Sequence, residues 1–287
     1  MVTDDLLPTQ IANAMCVRRV MRRCTLPAQV PSPAQVVAIG MFDGLHLGHR
    51  HVLQKLRALG DRYGLPTLVL TFDPHPRSVV GKQPPPRLLC TVDERLDLLA
   101  ATGLVDTALV LPFDAARSQE PVECFVADTL VGALGTRALV VGANFACGHQ
   151  RRGTVDRLHG LGADHGFCVQ ALPLRPAQLP GDAPACSSTV IRGLIQAGEV
   201  AVAAALLGRA HALTAELDAQ LDASTGVAGA ARLPLAMCRP AAGRYRGAVA
   251  RSGRSSDWQS AELQVTTDAG GEPSQVQWCC DGAALAG

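Results

Sequence analysis

Residues 36–51, VVAIGMFDGLHLGHRH, constrain this chain more than any other stretch. The apolar run 36–40 suits a buried strand. It enters a turn holding Gly40, Phe42, Asp43 and Gly44, and the chain then becomes helical around His46, Gly48 and His49. A strand, a glycine turn and a helix start together aim unpaired backbone N–H groups and the positive end of the helix dipole at one spot, where an anion is favoured. His46 and His49 fall about one turn apart on that face. Their imidazoles can donate hydrogen bonds to phosphoryl oxygens, and a bound anion would raise their pKa toward the charged form. Two histidines beside a surface turn would carry little meaning. Their place in GxFDGxHxGH, between strand and helix, points to a phosphate site. No third His, Cys or carboxylate stands nearby at zinc spacing, which disfavours a metal centre.

Apolar runs and helical stretches alternate along the following 170 or so residues. Strands are expected at 67–73 (TLVLTFD), 106–111, 138–142 (ALVVG) and 167–172, with helices at 48–63, 91–101, 121–131, 187–197 and 200–213. Near-continuous apolar strands separated by helices imply an α/β, doubly wound parallel sheet of Rossmann-like type, with ligands at the carboxyl ends of its strands. No GxGxxG follows a strand, which disfavours a dinucleotide-binding dehydrogenase.

Three further stretches lie where such a sheet would hold ligands. The second strand runs into Asp73-Pro74-His75-Pro76, where the prolines must end it. The fourth strand leads to Gly142-Ala143-Asn144-Phe145-Ala146-Cys147-Gly148. Beyond a proline-rich loop at 173–184, Ser187-Ser188-Thr189 precedes an apolar helix and supplies an ordinary N-cap. Arg192, one turn beyond Ser188 on the same side, can place its guanidinium beside an anion at that helix start.

These stretches together resemble the nucleotidyltransferase module of the prokaryotic FAD synthetases, the bifunctional riboflavin kinase/FMN adenylyltransferase family. The resemblance spans about residues 36–212 and includes GMFDGLHLGH, TFDPHP, GANFACG and SSTVIR, with the first and last about 140 residues apart. It implies a chain that transfers AMP from ATP to FMN, giving FAD and pyrophosphate, with Mg²⁺ bridging phosphate oxygens. By the same resemblance, Gly40, Phe42, Asp43, Gly44, Gly48, Ser187, Ser188 and Thr189 belong to the ATP site. His46, His49, Asn144 and Arg192 carry the chemistry, and Phe72, Pro74, His75, Phe145 and Cys147 meet the acceptor. Cys147 departs from the family pattern, which has an aromatic there, and a thiol offers far less area for stacking on a flavin. A different phosphorylated acceptor, or a non-catalytic flavin- or nucleotide-binding module, are the other readings the sequence leaves open.

Leu206-Leu207-Gly208-Arg209 is similar to the family's link to its riboflavin kinase, and beyond it the resemblance ends. Residues 214–231 are rich in Ala, Asp and Gly and show no PTAN segment, so no kinase activity is expected. Alternation within 233–249 and 261–278 fits a few strands of a small or eroded β-module. The expected organisation is an extension at 1–34, partly disordered, with Met15 or Met21 as alternative starts, a nucleotidyltransferase domain at 35–212, and a degenerate β-module at 213–287.

Composition narrows the partners. In 287 residues, 26 basic side chains oppose 25 acidic ones, without a long basic run, so no nucleic-acid footprint is present. No stretch approaches the roughly 18 apolar residues of a membrane span. Ten cysteines without a CxxC read as reduced thiols of a cytoplasmic protein.

Overall fold

The computed structural model describes residues 20–81, 84–173, 186–217, 229–250 and 258–280. Residues 1–19 of the expected extension, most of the proline-rich loop and residues 218–228 lie outside the described residues.

In chain order the first part comprises β1 (Arg22–Cys24), β2 (Gln35–Ile39), α1 (Leu47–Tyr63), β3 (Thr67–Asp73), α2 (Pro76–Val80), α3 (Val92–Ala101), β4 (Thr107–Pro112), α4 (Ala115–Gln119) and α5 (Val122–Cys124). The last runs into a π-helical stretch, Phe125–Ala133. Then follow β5 (Thr136–Gly142), a hairpin of β6 (Ala146–Cys147) and β7 (Gly153–Thr154), α6 (Val155–His165), β8 (Cys168–Leu172), α7 (Ser188–Gln196) and α8 (Val200–Leu207). Six strands form one parallel sheet in the order β1-β4-β3-β2-β5-β8. The chain winds outward from β2 through β3 to β4, then returns to the other side of β2 with β5 and β8. The reversal falls between β2 and β5, and a crevice opens at the carboxyl ends of strands beside such a switch.

Alternate strand residues feed two cores, as a sheet covered on both faces requires. Val37, Ile39, Leu68, Leu70, Leu139 and Val141 meet Phe125, Val126, Leu130, Leu158 and Leu161 on one face. Val36, Ala38, Val69, Ala138 and Val140 meet Leu53, Leu56 and Leu59 of α1 and Leu96 and Leu99 of α3 on the other.

The structure differs from the sequence expectation at three places. Arg22–Cys24, expected within the extension, is an edge strand paired in parallel with β4, and the Met21 side chain is buried beside it. Three residues are too few to show a period, so only the pairing reveals them. The helix expected at 121–131 is largely π-helical. The helix expected at 200–213 stops at Leu207 because Gly208 takes a left-handed φ of 70°.

The remaining strands, β9 (Glu216–Leu217), β10 (Gly229–Arg232), β11 (Gly243–Val249), β12 (Gln259–Thr267) and β13 (Pro273–Cys280), form an antiparallel sheet in the order β11-β12-β13-β10-β9. It touches the first part through residues 84–90: Leu88 bridges Met237, the Leu88 N–H donates to the Ala236 carbonyl at 2.8 Å, and the Cys238 N–H donates to the Leu88 carbonyl at 2.7 Å. Cys238 joins Leu89, Cys186, Ile191, Ile195, Ala203, Leu206 and Leu207 in a third apolar cluster beneath α7 and α8.

Candidate active site

The turn after β2 is held in a conformation that side chains rarely accept. Phe42 and Leu45 have φ of 50° and 39°, and Gly44 has 76°. Positive φ in bearing residues is uncommon and persists where surroundings enforce it. Here both side chains are buried in the core, and a Cβ on Gly44 would lie 2.8 Å from Leu89. The turn delivers His46 to the N-cap of α1, where its Nδ1 accepts the His49 backbone N–H at 3.3 Å. A ring nitrogen that accepts has no proton, so the imidazole proton of neutral His46 sits on Nε2 and is available for donation.

His46 and His49 stack, with ring centroids 3.6 Å apart and planes 19° from parallel. Phe42 covers His49 from another side at 5.2 Å. Gly48 permits this packing, since a Cβ there would lie 3.1 Å from the His46 ring and 3.2 Å from the Cys186 carbonyl. Burial, with Arg192 and Arg209 adding repulsion and Asp43 opposing them, lowers the His46 pKa to about 4. Burial, His46, Arg95 and Arg192 push His49 well below the ordinary range. Both rings are therefore neutral near pH 7, and the His49 Nδ1 is buried without a hydrogen-bond partner.

The start of α7 lies against this turn. Ser187 caps α7, its hydroxyl accepting the Val190 N–H at 3.3 Å, and Ser188 Oγ donates to the Asp43 carbonyl at 3.0 Å. Cys186 Sγ is 3.5 Å from His46 Nδ1. The two helix N-termini expected to face one anion are thus brought together. Thr189, by contrast, is exposed.

Arg192 and Asp43 take positions their spacing did not suggest. The Asp43 carboxylate is buried, accepts the Leu89 and Cys90 N–H groups at 2.9 and 3.2 Å, and pairs with Arg192. Arg192 Nε donates to the Arg87 carbonyl at 2.7 Å. The guanidinium is consequently directed back to the turn rather than standing clear beside the helix start, because a buried carboxylate requires a charged partner.

Two other loops reach the same end of the sheet. Gly40 follows β2, its N–H donating to the Leu70 carbonyl at 3.1 Å, and at the end of β3 Phe72 packs edge-on against Phe113 at 5.5 Å. Pro74 is exposed, while half-buried His75 caps α2 by accepting the Arg77 N–H at 3.1 Å. Burial and Arg192, partly opposed by Asp43, lower the His75 pKa to about 4. In the β5–β6 loop Asn144 is exposed and Phe145 half-buried. Cys147 packs against the apolar core with its Sγ donating to the Gly153 carbonyl at 3.8 Å, and burial pushes its pKa up to about 12.

The structure adds residues that the sequence reading did not assign to the site. Cys90 Sγ accepts the Gly44 N–H at 3.1 Å, and Arg209 donates to the Gly44 carbonyl at 2.7 Å. Arg95 of α3 is buried behind β3. Its signal was present in the sequence: it falls one turn from Leu99 and next to Leu96, a charged residue in an otherwise apolar stripe.

Among the described residues no group of three or more His, Cys, Asp or Glu stands together to hold a metal ion, and the Asp43 carboxylate is engaged with Arg192. The described residues do not form a cation site of their own.

The parallel sheet, with two helix N-termini, stacked histidines and a guanidinium gathered beside its switch point, defines an α/β protein of Rossmann-like type. The sequence pattern of the FAD synthetase family matches residues 29–180, and the chain belongs to that family. Bifunctional riboflavin kinase/FMN adenylyltransferases of Escherichia coli strain K12 and Haemophilus influenzae are 32% and 35% identical, over 65% and 61% of this chain. The chain spans 58% and 55% of their lengths. A solved structure titled macrolide-efflux protein, from Streptococcus pneumoniae, superposes with a TM-score of 0.75 at 21% identity, over 93% of this chain and 86% of that one. At that identity the likeness shows the fold alone.

Proposed function

We propose that this chain is an FMN adenylyltransferase, transferring AMP from ATP to FMN to give FAD and pyrophosphate. The observation that carries this reading is the convergence of the α1 and α7 N-termini on the turn at residues 40–46, with His46, His49, Ser188 and Arg192 around it. In the reaction an FMN phosphate oxygen forms a bond to the α-phosphorus, and the bond from that phosphorus to the bridging oxygen breaks. Pyrophosphate leaves with the electron pair. The acceptor phosphate is already anionic near neutral pH, so catalysis lies in alignment and in meeting charge that develops on the α-phosphate and leaving group.

In this reading His46 donates from Nε2 to a phosphate oxygen, and His49 meets the α-phosphate. Arg192 joins the β- and γ-phosphates by exchanging Asp43 for them, with Ser188 and Thr189 at the helix start. Asn144 joins them in the chemistry, and Phe72, Pro74, His75, Phe145 and Cys147 meet the acceptor. Mg²⁺ bound with ATP would offset negative charge on its phosphates. Residues 35–212 form the transferase domain, 213–287 a β-module without riboflavin kinase activity, and the protein works in the cytoplasm without nucleic-acid or membrane partners.

A second reading, another phosphorylated acceptor at the same ATP site, is favoured by Cys147, whose thiol is turned to Gly153 and the core where the family has an aromatic. One assay separates the two. Purified protein with MgATP and FMN should release pyrophosphate and form FAD, whereas riboflavin or no acceptor should give neither. ATP binding without pyrophosphate release on FMN would sink the first reading and leave the second.

A further inference from the structure

Arg95 is among the largest side chains buried whole in this protein, 1% exposed, and it sits in helix α3, which the chemistry above does not use. One of its terminal nitrogens donates to Thr71 Oγ1 at 3.0 Å and to the Phe72 carbonyl at 3.2 Å. Its Nε is buried with no hydrogen-bond partner. Among the described residues no carboxylate lies within ion-pair distance of it. Three other deeply set guanidiniums have a carboxylate: Arg192 pairs with Asp43, Arg57 with Asp106 and Arg239 with Glu272, although Arg239 keeps its Nε and one terminal nitrogen without partners, and Arg209 meets the Gly44 carbonyl.

An unanswered buried guanidinium is costly, and ordinary folds neutralise it. Its position supplies the reason for keeping one here. Thr71, which it holds, donates from Oγ1 to the Met41 carbonyl at 3.3 Å, within the turn that leads to the stacked histidines. Arg95 also acts electrostatically on both His49 and His75, one from each loop that faces the candidate anion site.

We propose that Arg95 is a positioning residue of the polyphosphate site: a buried positive charge that locks the β2 and β3 loops together through Thr71 and finds its counter-charge in the bound phosphates. This rests on the anion-site reading above but not on which acceptor is used. Arg95 does not itself reach the reacting atoms, so its effect falls on the binding of the phosphate chain.

The test is calorimetric titration of the full chain with inorganic pyrophosphate, comparing the native protein with Arg95→Met, which keeps length and removes charge, and Arg95→Lys, which keeps charge. The Met variant should bind pyrophosphate at least about tenfold more weakly, and Lys should recover most of that loss, since charge-assisted contacts are worth this much or more. In steady state the Met variant should raise the KM for MgATP more than it lowers kcat. A folded Met variant that binds pyrophosphate like the native protein overturns the proposal while leaving the anion site standing. Native protein that does not bind pyrophosphate overturns both. Should the Met variant fail to fold, native protein with ¹⁵N-arginine answers instead, the Arg95 Nε signal being assigned from its loss in Arg95→Lys. That signal should move on saturation with pyrophosphate, and a signal that stays in place overturns the proposal.

Discussion

The parallel sheet and the antiparallel sheet use their strands in opposite ways. In the first, β2 is buried along its whole length, and each strand of the β2-β3-β5 group ends in a loop carrying residues suited to a ligand. In the second, β11 leaves most of its residues exposed or half-exposed, and its tight contact with the first part is the Ala236–Cys238 segment against Leu88. Even the ion pairs differ. Asp43 and Arg192 are 1% and 12% exposed, whereas Glu272, which answers both Arg87 and Arg239, is 55% exposed. The candidate site thus lies where two-sided burial fixes backbone and charge. The antiparallel part instead meets that region at its margin, where Met237 bridges Leu88 and Cys238 clusters with Leu89.

If that contrast holds, the largest effect should come from Asp43→Ala. It leaves the Arg192 guanidinium unpaired and the Leu89 and Cys90 N–H groups unanswered, and should destabilise by about 3 kcal/mol or more in urea unfolding. A loss under about 1 kcal/mol would mean that the pair is no more buried in effect than a surface bridge. His49→Ala should follow, with pyrophosphate release down by on the order of 10²-fold and the unfolding midpoint nearly unchanged. Turnover like that of the native protein would remove His49 from the chemistry.

Acidification provides the next test. His46 is held at about 4 in the fold against roughly 6.5 when unfolded. The unfolded chain therefore binds its proton first, and stability is lost as pH falls from about 6.5 toward 4, by about 2 kcal/mol between pH 6.5 and 5 for a histidine kept fully neutral. His75 adds loss of the same sign. Thermal melts across this range should show the decline; a flat profile would mean that these rings are more solvated than their packing indicates. Smallest in turnover, Glu272→Gln should leave pyrophosphate release unaltered while costing about 1–3 kcal/mol of stability, because its solvated carboxylate is also the ion-pair partner of the buried Arg239 guanidinium. A fall in turnover there would show that the antiparallel part contributes to the chemistry.

How much of this was legible beforehand depended on distance along the chain. The alternation of buried strands and helices, the glycine turn and the N-cap serines are local patterns, and period and spacing reveal them directly. The TFDPHP and GANFACG loops could be placed at strand ends for the same reason. The edge strand Arg22–Cys24 could not, because its identity comes from pairing with residues some 85 positions later.

The sequence by itself determined the α/β winding, the carboxyl-end location of the candidate site and the chemical types within it, since hydrophobic period and turn geometry act over a few residues. Only the tertiary structure decided which charges answer one another: Asp43 turning Arg192 back to the turn, Cys147 facing the core, and Arg95 buried without a counter-charge. Coulombic and desolvation energies depend on distances in space and on exclusion of water, and neither is written in the order of residues.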